Sequence, residues 1–90
     1  MKTVRIKING NVQGVMFRKF VKDEATKLEI KGHVRNLESG EVEVMIEGAP
    51  ENVDAMIACC KKGAPHSVVK SVDIQEMNHI GFDDFKILNI

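Results

Sequence analysis

Polar and apolar residues alternate along residues 3–9 and 42–46 with the period of two that is typical of strands with one buried face. Between these two stretches, Gly32 permits a second extended run through Val34 and Asn36. Ser39-Gly40 has turn chemistry, so the second and third strands are predicted to form a hairpin. Two further segments, residues 68–77 and 85–87, are strand-like as well.

Two other stretches place apolar residues at helical spacing. The first stripe consists of Phe17, Phe20, Val21 and Leu28, and the second consists of Val53, Met56, Ile57 and Cys60. Pro50 near the start of the second helix and Gly63 just past its end occupy positions that these residues favour. The predicted order is βαββαβ with a short C-terminal strand, which matches an α+β, ferredoxin-like two-layer sandwich. In that fold an antiparallel sheet carries both helices on one face.

Parity along the third strand also predicts what its other face carries. Glu41, Glu43 and Glu47 alternate with the apolar residues of this strand, so they are predicted to form a solvent face. The methionines of the predicted strands and second helix are expected to fill irregular space in the core. They are Met45, Met56 and Met77.

Length and composition describe one soluble domain. The chain has 90 residues, of which 43% are hydrophobic and 29% charged, and no linker divides them, so residues 1–90 are treated as one domain. The apolar runs are too short for a membrane span, and the alternating N-terminus does not resemble a secretory signal. Cys59 and Cys60 are adjacent, which is poor geometry for a disulfide, and a cytoplasmic location is expected.

Charge and side-chain chemistry limit which classes of ligand the protein is expected to bind. The net charge of zero argues against a nucleic-acid binder, and four Phe without Tyr or Trp do not favour RNA stacking. Residues 1–35 hold nine Lys/Arg and three Asp/Glu, whereas residues 36–90 hold four and ten, so an anionic ligand would prefer the first part. The two cysteines and three histidines (His33, His66, His79) show no metal-ligand spacing, so no metal site is predicted.

The segment from Gly10 to Arg18 joins the first strand to the first helix. Gly10 and Gly14 would let the loop curl and direct successive N–H groups inward, and the helix N-terminus adds unpaired N–H groups. Arg18 could add a guanidinium, whose fork of donors suits phosphate oxygens. The alternative is an ordinary βα turn with a solvated Arg18. The glycine spacing matches neither a Walker loop nor a Rossmann fingerprint.

Two motifs make the chain resemble the acylphosphatase family. The first reads GxVQGVxFR and runs from Gly10 to Arg18. The second, G-x-V-x-N, three residues, G-x-V, five residues, G, is matched by Gly32, Val34, Asn36, Gly40, Val42 and Gly48. The family usually has an aromatic residue where this chain has His33.

The resemblance implies a hydrolase that cleaves the carboxyl-phosphate bond of small acyl phosphates without a cofactor or metal. Arg18 would hold the phosphate together with the loop amides, and Asn36 would orient the attacking water. The loop positions that this assigns to substrate binding are Gln13, Gly14, Val15, Met16, Phe17 and Arg18. Independently of the family, strand parity places Asn36 on the face that points toward the helices.

Further expectations concern partners and alternatives. Phosphate or sulfate would compete with the substrate. A monomer is expected because the polar strand faces show no extended apolar patch. The alternative function is a non-catalytic ferredoxin-like module that binds a phosphorylated small ligand, since this fold supports many activities.

Overall fold

Seven elements follow one another in the predicted order, and the computed structural model describes residues 1–89. They are β1 (Lys2–Asn11), α1 (Phe17–Lys27), β2 (Lys31–Asn36), β3 (Val42–Gly48), α2 (Pro50–Lys62), β4 (Val68–Met77) and β5 (Phe85–Leu88). Pro50 opens α2 and Gly63 caps its C-terminus, as the sequence predicted. No helix within residues 1–89 is long and apolar enough to cross a bilayer.

The five strands form one sheet in the order β4-β1-β3-β2-β5. The four strands of the βαββαβ unit pair antiparallel, which confirms the ferredoxin-like prediction. The tail strand β5 instead pairs parallel with β2, so the sheet is mixed. The chain leaves β4 at one edge and enters β5 at the other, and β5 therefore extends the sheet beyond the hairpin.

The core lies between the sheet and the two helices. The residues of β1 and β3 that face it are fully buried, and they meet buried residues from α1 and α2. These residues are Val4, Ile6, Ile8, Val42, Val44 and Ile46 from the strands, with Phe17, Val21, Ala25, Val53, Met56 and Cys60 from the helices. Fully burying a side chain of this kind contributes about 1.5–3 kcal/mol, so this layer holds α1 and α2 against the sheet.

The other face of β3 is not the solvent face that parity predicted. Glu43 and Glu47 are only 4% and 3% exposed. Arg5 donates to Glu43 at 2.7 Å, and Arg35 donates to it at 2.7 Å, so two neighbouring strands cover this carboxylate. Burial opposes ionisation of Glu43, but hydrogen bonds from the two arginines and from a histidine lower its pKa to about 2. The two buried glutamates of β3 are therefore structural partners rather than solvated side chains.

Glu47 is covered by the connection between β4 and β5. Its carboxylate accepts hydrogen bonds from the N–H groups of Ile80, Gly81 and Phe82 at 2.8, 2.9 and 3.0 Å, and from the Thr3 hydroxyl at 2.5 Å. Desolvation raises the pKa of Glu47, but these hydrogen bonds outweigh it and lower the pKa to about 2. Glu47 thus fixes the segment that leads into β5.

The methionine expectation holds for two of the three residues. Met56 is fully buried between α2 and the sheet, and Met45 is 6% exposed on the opposite face of β3. Met77 is 37% exposed, so the prediction that it packs in the core is wrong. It ends β4, an edge strand with a neighbour on one side only, so less of the molecule covers it.

Candidate active site

A pocket of about 330 Å³ lies where the loop after β1 meets the start of α1 and the end of β2. The loop contributes Gly14 and Met16, and the first turn of α1 contributes Phe17 and Arg18. Asn36 enters from the last position of β2. The structure therefore places Arg18 and Asn36 in the lining of one pocket.

The backbone of the loop has two residues in the left-handed region. Gly14 has φ 77°, and Met16 has φ 59° and ψ 26°. A Cβ on Gly14 would meet nothing within 4 Å, so glycine is needed there for its backbone angles alone. A non-glycine residue in this region, such as Met16, costs roughly 1–2 kcal/mol. Such strained residues concentrate at ligand-binding sites.

Gly10 has a different role from the one the sequence suggested. It belongs to β1 at an irregularity in the pairing with β4, and a Cβ there would lie 2.0 Å from the carbonyl oxygen of Val68. Glycine at this position therefore permits close packing of two strands. The curled loop itself begins after Asn11, where β1 ends.

The N–H groups of residues 13–19 donate no hydrogen bond to any residue that the structure describes. No side chain caps α1, and its first turn contains no acidic residue. Helix N-termini normally receive such partners, because their unpaired N–H groups carry partial positive charge. This loop and helix start instead offer a set of free donors beside two cations, Arg18 and Lys19, which is the environment of an anion site.

The C-terminal segment holds the Arg18 guanidinium. Its Nη1 donates to the Asn89 Oδ1 at 2.7 Å and reaches the Leu88 carbonyl oxygen at 3.4 Å. Ile87 of β5 lines the pocket beside it. Sequence reasoning missed these three residues, because only the parallel pairing of β5 with β2 brings the tail to α1.

Asn36 has a carbonyl group without a partner. Its Oδ1 is buried and accepts no hydrogen bond from any described residue. Asn36 lies opposite Val42 in the β2–β3 pairing, and Val42 is fully buried, so strand parity correctly placed Asn36 on the helix side of the sheet. A buried acceptor without a hydrogen-bond partner costs about 1–3 kcal/mol of stability. Such acceptors are rare in proteins, and a catalytic role is one reason for keeping one.

Two of the six predicted substrate-binding residues direct their side chains elsewhere. Gln13 Nε2 donates to the carbonyl oxygens of Leu37 and Glu41 at 3.0 and 2.9 Å, so it ties the loop to the turn that follows Asn36. Val15 lines a neighbouring groove. The side chain of Gln13 therefore sets the distance between the loop and the end of β2.

The remaining candidates lie away from the pocket. His33 Nε2 is 3.3 Å from Glu43 Oε1, and the His33 ring meets the edge of the Phe82 ring at 5.8 Å, on the sheet face opposite the helices. Burial raises the pKa of the Cys60 thiol to about 12 and also raises that of Cys59, so neither has the character of a nucleophile. Residues 1–89 contain no cluster of three metal-ligating side chains.

Comparisons with known proteins agree along nearly the whole chain. A family model described as acylphosphatase matches residues 4–87. The acylphosphatase of Syntrophus aciditrophicus is 42% identical over 89 residues, which cover 98% of this chain and 93% of that protein. That of Thermococcus kodakarensis is 43% identical over 90 residues, covering 98% and 99%. The crystal structure of acylphosphatase from Bacillus subtilis superposes with a TM-score of 0.94 at 36% identity, covering 98% and 99%.

Proposed function

Because this chain belongs to the acylphosphatase family and is a hydrolase of acyl phosphates, we propose that the pocket between α1 and the end of β2 is its active site. Residues 1–90 are proposed to form one catalytic domain around this pocket. The family assignment replaces the alternative of a non-catalytic phosphate-binding module.

The phosphoryl group is proposed to bind the loop amides and Arg18. The unpaired N–H groups of residues 13–18, including those of Gly14, Met16 and Phe17, would donate to its oxygens. Arg18 already has one donor fixed by the C-terminal segment, and its other N–H groups would face the anion. Preorganised donors of this kind stabilise charge that develops in the transition state.

Asn36 is proposed to orient the attacking water. Its unpartnered Oδ1 can accept a hydrogen bond from water after rotation of the amide about χ2, a torsion with broad minima. The water oxygen would attack phosphorus as the bond to the acyl oxygen breaks, and the electron pair of that bond leaves with the carboxylate. Because a neutral amide cannot take the proton, the proton of the water passes to a phosphoryl oxygen of the substrate.

The reaction needs few protein groups. The leaving carboxylate has a conjugate acid of pKa about 4, so it departs without a general acid. The remaining requirements are in-line positioning and charge stabilisation, which Arg18, the amides and Asn36 can supply. The observation that carries the proposal is the meeting of free amides, a fixed guanidinium and an unpartnered carboxamide in one pocket.

Kinetics of single variants test this assignment. Removing one preorganised donor typically costs about 3–4 kcal/mol, so Arg18→Ala and Asn36→Ala should each lower kcat/KM for acetyl phosphate by roughly 10²–10³-fold. Lys22→Ala on α1 and Asn78→Ala beyond β4 are matched controls outside the pocket and should keep wild-type rates. Wild-type turnover by folded Arg18→Ala or Asn36→Ala protein would refute the site.

Three further parts of the proposal concern competing ligands, the oligomeric state and the location in the cell. Inorganic phosphate and sulfate should inhibit competitively, because they carry the same oxygens as the phosphoryl group. We also propose a monomer, which size-exclusion chromatography with light scattering would test. The proposed location is the cytoplasm.

A further inference from the structure

A second groove, of about 550 Å³, runs from the active-site pocket along the outside of α1. Met16 and Lys19 line both the pocket and the groove. The two spaces are therefore neighbours that share a boundary, and a molecule bound in the pocket can extend into the groove. The roles proposed for Arg18, the loop amides and Asn36 leave this space without a function.

The groove has an apolar floor and a polar rim. Val15 and Phe20 are half-buried against the core, and Ala64 is 8% exposed. Phe20 and Asp23 follow Met16 by four and seven positions, so they lie on one side of α1, and residues 64–66 after α2 form the opposite wall. Lys19 and Asp23 pair at 2.8 Å at the rim. An apolar floor with a few polar groups is typical of small-molecule sites.

In-line displacement determines which side of the phosphorus the acyl group occupies. The attacking water and the leaving oxygen lie on opposite sides of the phosphorus atom. Asn36, which would hold the water, lines the pocket, whereas no residue of β2 or β5 lines the groove. The groove thus adjoins the pocket at Met16 and Lys19 and not at Asn36, which is the arrangement that an acyl group leaving on the side away from the water requires.

We propose that this groove binds the acyl group of the substrate and that it favours apolar acyl groups, aromatic ones in particular. The inference rests on the proposed function, because it requires the phosphoryl group in the pocket. The acyl carbonyl would lie near Met16, and an aromatic ring would pack over Val15 and Phe20 against residues 64–66. An acetyl group is too small to reach the second wall.

Filling the groove tests the inference kinetically. Asp23 is exposed at the rim of the groove and does not itself line the pocket, so Asp23→Trp adds a large side chain to the groove. We expect kcat/KM for benzoyl phosphate to fall about tenfold, while that for acetyl phosphate changes less than twofold. Asp23→Ala controls for loss of the ion pair with Lys19, and Lys22→Trp adds the same bulk at an exposed site of α1 outside the groove. Both controls should keep the wild-type ratio of the two substrates.

Amide NMR gives a second readout that does not depend on turnover. Phenacylphosphonate and acetonylphosphonate replace the scissile oxygen of benzoyl and acetyl phosphate by a methylene. Both should shift the amide signals of residues 14–18, and only phenacylphosphonate should also shift those of Ala64 and His66, which flank Pro65. Shifts at residues 14–18 without any at Ala64 and His66 would overturn the groove assignment alone, as would an unchanged substrate ratio in folded Asp23→Trp protein. No shift at residues 14–18 with either compound would instead contradict the proposed active site.

Discussion

Replacing Glu47 by glutamine removes the charge that fixes the β4–β5 connection while keeping the shape of the side chain. The pKa of Glu47 is lowered from 4.5 to about 2. A difference of one in pKa corresponds to 1.36 kcal/mol, so ionisation of Glu47 contributes about 3 kcal/mol to the free energy of unfolding. A depressed pKa in the folded state means that this contribution is fully present above pH 4.5 and is lost as the pH falls through 2. At pH 3 about 1 kcal/mol of it remains.

Urea denaturation of wild-type and Glu47→Gln protein at several pH values measures this contribution. The variant should be less stable by about 3 kcal/mol at pH 7, which corresponds to a Tm lower by roughly 12–24 °C in a domain of this size. The difference should shrink to about 1 kcal/mol at pH 3, where much of the wild-type carboxylate stabilisation is gone. Glu76→Gln, at a side chain that is 77% exposed, is the matched control and should change stability by less than about 0.5 kcal/mol. A deficit at Glu47 that is independent of pH would refute the electrostatic explanation.

Two further predictions concern the loop that binds the phosphoryl group. Gly10→Ala should prevent native pairing of β1 with β4, because the added Cβ would clash with the backbone of Val68. Gly14→Ala should fold, with a loss of stability of only about 1–2 kcal/mol from its positive φ and with a raised KM. Equal stability of the two variants in thermal melts would contradict this distinction. Gln13→Ala removes two hydrogen bonds to the turn after β2, so the free energy of unfolding should fall by about 1–3 kcal/mol. Because this turn follows Asn36, kcat should fall as well, while phosphate still binds. Unchanged kcat in steady-state assays would show that the turn does not position Asn36.

The sequence was sufficient for the elements and for the helix-side core. Alternation and helical spacing depend on neighbouring residues, so they correctly indicated the strands at residues 3–9 and 42–46 and the apolar stripe of α1 that begins at Phe17. Parity failed for Glu43 and Glu47, because it identifies the two faces of a strand but not what covers each face. Two arginines from neighbouring strands and the β4–β5 connection cover the second face of β3, and these are contacts between distant parts of the chain.

The same limit applies to the candidate site. The loop and Asn36 were recognisable because each belongs to a local motif, and strand parity directed Asn36 toward the helices. Asn89 and Ile87 were not recognisable, since their contact with the pocket depends on the parallel pairing at the edge of the sheet. The groove beside α1 was missed for a related reason, because its second wall comes from the loop after α2.

The Asn36→Ala variant most directly separates phosphate binding by the loop and Arg18 from orientation of the water by Asn36, because phosphate affinity and turnover can both be measured on it. Titration of inorganic phosphate, followed by the amide signals of residues 14–18, should give a Kd within about threefold of wild type, because phosphate is held by the loop and Arg18. The same protein should hydrolyse acetyl phosphate at least 10²-fold more slowly, on the order of the loss expected when a preorganised group is removed. If phosphate affinity and kcat fell together, or if kcat were unchanged, the division between an anion-binding loop and a water-orienting asparagine would be wrong.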